Sequence, residues 1–173
     1  SIACAILASH KYEEVWKNML WDLVFSEMSV SPRDKETQEL TAYRTQVSMS
    51  RPILTVRQRR LSYAFMFAEA SWVLRGSNLL ADLTPYAPSM KRFSDDGVYL
   101  AGAYGPKVID QLSYVAKTLS QDSVSRQAVI NIWREKPGVS KDIPCTLSLQ
   151  FLIRDGQLNT VATMRSSDAW LGW

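Results

Sequence analysis

The chain is poor in the residues that build metal sites and covalent staples. Among 173 residues only His10 is histidine, and only Cys4 and Cys145 are cysteine. A lone histidine near one end excludes, within these residues, the Ser-His-Asp and Cys-His arrangements that need an imidazole in mid-chain. Two distant cysteines make neither a disulfide framework nor a CxxC zinc motif, so no metal is expected. Seven Gly and seven Pro are too few for a collagen-like or linker-like chain. No apolar run approaches the ~20 residues that span a bilayer. The opening SIACAILAS lacks the basic flank of a signal peptide. No membrane partner is expected, and the reading favours a reducing cytoplasm.

What is present is the material of a globular core. Hydrophobic residues make up 46% and charged residues 21%, with six Trp, seven Tyr and five Phe. Twenty basic residues against seventeen acidic ones leave a net charge of +3, too small an excess to argue for nucleic acid. Arg57, Arg59 and Arg60 form a basic row without the interleaved aromatics that stack bases, so they read as a solvated helix start. The length suits one domain.

The first half is helical in period. Tyr12, Val15, Trp16, Met19, Leu20, Leu23 and Val24 predict an amphipathic helix over 10–28. Ser31-Pro32-Arg33-Asp34-Lys35 breaks it as a loop, and 36–50 is left unassigned. A second helix is predicted over 58–75, with Leu61, Ala64, Phe65, Ala68, Trp72 and Val73 on one broad face and Gly76 as its stop. Residues 77–103 are loop-rich, with one short helix. Val108, Ile109, Leu112, Val115, Ala116 and Leu119 predict a third helix over 105–120.

The period then changes from helical to alternating. Strands are predicted at 128–133, 145–153 and 158–164, with turns at Lys136-Pro137-Gly138 and Asp155-Gly156, the latter a strong hairpin signal. Helices followed by antiparallel strands predict an α+β fold, with helices layered on one face of a mainly antiparallel or mixed sheet.

Several residues could carry chemistry. Cys145 follows Pro144 at the head of a strand. As a thiolate it is a strong nucleophile; as a buried thiol it is a small hydrophobe. Arg165-Ser166-Ser167-Asp168 combines a guanidinium fork with hydroxyls and suits a phosphate or carboxylate; it also reads as a solvated turn. Arg126 and Arg33 are further phosphate candidates or plain surface arginines. Glu69 sits between Phe65 and Trp72, where a carboxylate is costly to bury without a partner, or it faces solvent.

The order of these segments resembles the thymidylate synthase family, which includes the phage deoxypyrimidine hydroxymethylases. The resemblance rests on Pro144-Cys145, the hairpin, Arg165-Ser166-Ser167-Asp168 and Leu171-Gly172. Upstream it includes Pro52-Ile53-Leu54-Thr55, Ala68-Glu69-Ala70-Ser71-Trp72-Val73-Leu74-Arg75-Gly76, Gly102-Ala103-Tyr104-Gly105, and Asp122-Ser123-Val124-Ser125-Arg126 followed by Trp133. It covers about residues 31–173.

The resemblance implies a single domain that transfers one carbon from 5,10-methylenetetrahydrofolate to C5 of a pyrimidine nucleotide monophosphate. Cys145 would add to C6 as a thiolate, with Glu69 and Tyr104 as the other catalytic residues. Arg33, Arg126, Gln150, Arg165, Ser166 and Asp168 would bind the nucleotide, and the arginines would also favour the thiolate. Asp168 and Trp72 would serve the folate. Arg126 would come from the second subunit of a homodimer.

Departures from the family wording are Thr146 after the cysteine, Gln127 after Arg126, Arg134 after Trp133, Met164 before Arg165, and no tryptophan-rich segment in 85–93. Cys145-Thr146, Leu152-Ile153-Arg154-Asp155 and Met164-Arg165-Ser166 resemble the hydroxymethylase branch more closely, in which water completes the reaction. The resemblance also implies further residues after Trp173, including the Asn or Asp that reads the base. A non-catalytic nucleotide-binding or dimerising relative of the same fold is the second reading.

Overall fold

The helix predicted over 10–28 is shorter in the computed structural model, where α1 runs Tyr12–Val24. The structure describes residues 11–50, 52–134, 136–170 and 172; Cys4 and His10 lie outside them. These residues fall into two compact units, one drawn from Ser1–Leu61 and Asp168–Trp173, the other from Ser62–Ser167.

In the first unit α1 buries Val15, Trp16 and Met19 at helical spacing. Trp16, Met19 and Leu54 form a small core with Leu20, Leu23, Val56 and Ala169 packed against it. The Trp16 indole N–H donates to the Ala169 carbonyl at 2.7 Å, and its ring lies 5.5 Å from that of Trp170. Two short strands, β1 (Ser29–Val30) and β2 (Thr37–Gln38), pair antiparallel across a 3-10 turn at Pro32–Asp34. Tyr43 donates to Asp22 at 2.6 Å; burial, that bond and the carboxylate's charge push its phenol up to about 12.

The second predicted helix is also trimmed. Arg57–Arg59 form a 3-10 turn, Arg60 is left-handed at φ 47°, and α2 runs Tyr63–Leu74. The cause is local: Ser62 caps α2 by accepting from the Phe65 N–H at 3.3 Å, which fixes the start of the helix beyond the arginines. Trp72, one of the predicted face residues, packs with Leu80, Leu83, Leu100 and Ala103, with Phe65, Val73, Met90 and Phe93 against them. Residues 77–103 contain two 3-10 turns, Leu80–Asp82 and Pro88–Phe93.

Helix α3 (Gly105–Gln121) starts where α2 has just ended. A Cβ on Gly105 would meet the Ser77 carbonyl oxygen at 2.8 Å and the Gly76 carbonyl carbon at 3.1 Å, so only glycine admits this approach. Beyond α3, strands β3 (Val129–Asn131), β4 (Thr146–Arg154) and β5 (Gln157–Met164) form an antiparallel sheet in that order. Val115, Ala128, Ile130 and Ile132 are its core, with Val108 and Leu119 of α3 and Leu149 and Phe151 of β4 packed against it. In this unit α3 packs on the sheet and α2 on α3, and helices with antiparallel strands make an α+β fold.

The β4–β5 register is set by the Asp155-Gly156 turn, both residues having positive φ. β5 pairs along one edge only and is exposed throughout, including its apolar Leu158 and Val161. Thus the apolar residues of the predicted return strand do not join the core.

Gly105→Ala is expected to destabilise the protein by about 1–3 kcal/mol, the usual cost of forcing an atom into a packed contact. A urea midpoint unchanged from the parent protein would show that the two backbones can separate freely.

Candidate active site

Cys145 immediately precedes β4 and is half-buried, and its thiol is free. The ladder extends one step beyond β5, where the Arg165 N–H donates to the Cys145 carbonyl at 2.9 Å. That backbone bond brings residues twenty apart side by side. The Arg165 guanidinium then reaches three acceptors. Its Nε donates to the Pro144 carbonyl at 3.0 Å, and Nη2 to the Ile143 carbonyl at 3.1 Å and to Cys145 Sγ at 3.8 Å. Its carbon lies 5.5 Å from the centre of the Trp133 ring, a cation–π geometry. A planar fork suits this work in a way an ammonium does not.

Tyr104 approaches from the N-terminus of α3. Its hydroxyl oxygen accepts from the Thr146 N–H at 3.1 Å, so the residue after the thiol is held from a second direction. Thr146 is buried, and the hydroxyl supplies the partner its amide needs. Gln150 lies on β4, where its side-chain amide donates to the Arg126 carbonyl at 2.9 Å. Two predicted substrate residues therefore meet, through the backbone of Arg126 rather than its guanidinium.

Glu69 lies on α2 one turn before Trp72. The residue is exposed, yet the surrounding protein desolvates the carboxyl in part and pushes it above its ordinary value. Trp72 is buried in the core, and its indole N–H donates to the Leu79 carbonyl at 3.0 Å. Ser166 follows Arg165 at the exposed end of the ladder. Arg33 and Asp168 belong to the first unit. The Arg33 side chain lies outside the described residues; Asp168 accepts from the Trp170 N–H at 2.7 Å.

Residues that sequence reasoning did not single out also shape the site. Asp142 accepts from the Gly102 N–H at 2.7 Å. Burial pushes its carboxyl up from the ordinary range, while Gly102 and Lys107 pull it down. Lys107 is shifted down, by burial and then by Arg134. A cavity of about 230 Å³ is lined by Lys107, Arg134, Ser140, Asp142, Ile143 and Pro144, among others, and so reaches the residue before Cys145. The only sequence signal for Asp142 is a carboxylate two positions before a Pro-Cys pair.

A half-buried thiol beside a guanidinium, with a phenol against the next residue, can perform nucleophilic addition to an electron-poor ring. Comparison with known proteins gives the family. The thymidylate synthase family profile matches residues 15–173. The chain is 29% identical over 165 residues to a deoxyuridylate hydroxymethyltransferase of Bacillus phage SP01, covering 83% of this chain and 43% of that protein. It is 30% identical over 125 residues to a deoxyuridylate hydroxymethyltransferase of Pseudomonas phage M6, covering 67% and 36%. The chain thus spans less than half the length of these relatives. The crystal structure of thymidylate synthase from T4 phage superposes with a TM-score of 0.56 at 22% identity, over 65% of this chain and 47% of that one, which bears out the fold. The protein belongs to the thymidylate synthase family.

Tyr104→Phe removes the acceptor of a buried amide and is expected to cost about 1–3 kcal/mol. Hydrogen exchange at the Thr146 amide should accelerate in that variant; unchanged protection would contradict the bond. Glu69 predicts a pH effect. A carboxyl raised in the folded state holds its proton longer than in the unfolded chain. Stability should therefore fall as pH rises from the ordinary glutamate range through the folded value. Glu69→Gln should flatten that slope in urea titrations between acid and neutral pH, and an identical slope in the variant would assign it elsewhere.

Proposed function

We propose that this protein transfers a one-carbon unit to C5 of a deoxypyrimidine nucleotide monophosphate, with Cys145 as the nucleophile. The observation that carries the reading is the guanidinium of Arg165, 3.8 Å from Cys145 Sγ, in a chain of this family. Carbon C5 is a weak nucleophile. Addition of a thiolate to C6 moves electron density onto C5, which then attacks the incoming carbon. Arg165 lies beside the attacking sulfur and, with Ser166, Arg33 and Arg126, binds the 5′-phosphate. Gln150 and Asp168 complete the nucleotide contacts.

Tyr104 assists removal of the C5 proton; the folate carrier would then leave the transferred carbon, water or a hydride would add there, and the thiolate would leave C6 last, restoring the ring. Glu69 organises water and proton transfer near the ring; its raised carboxyl supports such a role. The carbon source is 5,10-methylenetetrahydrofolate, which supplies a methylene group when bound. Asp168 and Trp72 are assigned to its contact, and Trp72 also holds the segment after α2 through its bond to Leu79. The working protein is a homodimer in which Arg126 serves the partner's site, acting in the cytoplasm without a metal. The whole chain forms part of one catalytic domain.

Hydroxymethylation of dUMP is the favoured product chemistry. It is supported by the names of the two phage relatives and by Thr146 and Met164 in place of the synthase wording. In that case water, rather than a hydride, completes the reaction.

The test is tritium release from 5-tritiated dUMP or dCMP with methylenetetrahydrofolate. Release is expected from one of the two, and Cys145→Ala should reduce it by at least about a thousandfold. Product without a rise in dihydrofolate absorbance identifies hydroxymethylation, and a rise identifies methylation. No release from either nucleotide would leave a binding or dimerising relative as the reading.

A further inference from the structure

The Arg165 guanidinium is held by backbone carbonyls, and something must hold those carbonyls. Ile143 and Pro144 end a segment that starts at Ser140. Besides the Arg165 bonds, four hydrogen bonds among the described residues tie this segment to the rest of the second unit, one of them from Lys141 Nζ to the Ser94 carbonyl at 3.4 Å. The Ser140 hydroxyl donates to Asp95 Oδ2 at 2.6 Å, the Lys141 N–H donates to Asp95 Oδ1 at 3.1 Å, and Asp142 Oδ2 accepts from the Gly102 N–H at 2.7 Å. Within the segment the Asp142 N–H donates to Ser140 Oγ at 3.0 Å. The Asp95 contacts fix the far end. Only the Asp142 contact lies next to the carbonyls that Arg165 uses.

Gly102 is shaped for that contact. A Cβ there would meet Asp142 Oδ1 at 2.7 Å and the Asp142 carbonyl oxygen at 2.8 Å, so no other residue lets the carboxylate come this close. Two residues along, Tyr104 grips the Thr146 amide. The short stretch Gly102–Tyr104 therefore clamps the chain on both sides of Cys145, through Asp142 before it and Thr146 after it.

We propose that Asp142 is a positioning residue: its bond to the Gly102 N–H fixes the Ile143 and Pro144 carbonyls, which in turn hold the Arg165 guanidinium against Cys145. Asp142 touches neither the sulfur nor, in the reading above, the nucleotide. It acts through Arg165. What the geometry uses is a hydrogen-bond acceptor at Oδ2, so an amide in the same place serves as well as a carboxylate. The proposal rests on the functional reading only for its importance to catalysis; the clamp itself is independent of any substrate.

The test measures the rate at which iodoacetamide alkylates Cys145 in the full chain at neutral pH, with the adduct located by peptide mass. The thiolate is the attacking species, and the guanidinium 3.8 Å from the sulfur is the positive charge that the attack feels. Asp142→Ala is expected to slow it about tenfold, the scale of losing one charge-assisted contact. Asp142→Asn should stay within about twofold of the parent, because the acceptor remains. Gly102→Ala, which pushes the same contact apart from the other side, should slow the reaction as Asp142→Ala does, and it keeps the test open if Asp142→Ala fails to fold.

Parent-like alkylation in Asp142→Ala or Gly102→Ala overturns the proposal, as does an Asp142→Asn variant as slow as the alanine. If the alkylation pattern holds while neither dUMP nor dCMP releases tritium, the clamp stands and the catalytic reading falls. If tritium is released but alkylation is indifferent to Asp142, the reverse follows.

Discussion

A single guanidinium shared among two peptide carbonyls and one sulfur is the constraint on which the site depends. Arg165 satisfies the Ile143 and Pro144 carbonyls just before β4 and places a permanent positive charge beside Cys145. Arginine alone has the planar, multiply donating head that can do both at once. The Trp133 ring supports the cation from below with its electron-rich face. Backbone architecture and thiol chemistry thus rest on the same side chain.

That arrangement is a product of sheet geometry. β4 and β5 are joined by a two-residue turn, and their antiparallel ladder runs from Arg154 and Gln157 out to Thr146 and Met164. One more backbone bond closes Cys145 against Arg165. The core beneath, built from Ile130 and Ile132 with Val115 of α3, keeps the ladder flat against a helix whose first turn presents Tyr104. Arg165 and Tyr104 each sit one residue outside a regular element, just after β5 and just before α3, so both are anchored close to the sheet and helix that preorganise the site.

Much of this was legible in the sequence because the determining signals are local. Alternation over 145–153, the Asp155-Gly156 turn and the alternation over 158–164 dictate a hairpin whose count brings Cys145 within one residue of Arg165; the register shift between Thr146 and Ser148, which counting does not reveal, sets the two opposite each other. The amphipathic period of α3 was equally plain. Helix α2 was less so. Its apolar period runs back through Leu61, but a side-chain cap at Ser62 and a left-handed Arg60 stop the helix there, and periodicity carries no information about either. Asp142 was not legible, since its partner is a main-chain N–H forty residues away and any residue type could have offered that group. The Gln150 bond to the Arg126 carbonyl is hidden for the same reason. Trp72 was rightly placed on an apolar face, but the commitment of its indole to Leu79 appears only in three dimensions.

The β4–β5 hairpin is also a ruler. Side chains alternate strictly along a strand, so gaining or losing one residue between the turn and Met164 would turn every following side chain over to the opposite face. The guanidinium would then point away from the sulfur even if all the amino acids were retained. Descendants of this chain can therefore vary the exposed composition of β5 widely, but its length only in steps of two or with a compensating bulge. Insertions and deletions, rather than substitutions, are what this part of the molecule cannot absorb.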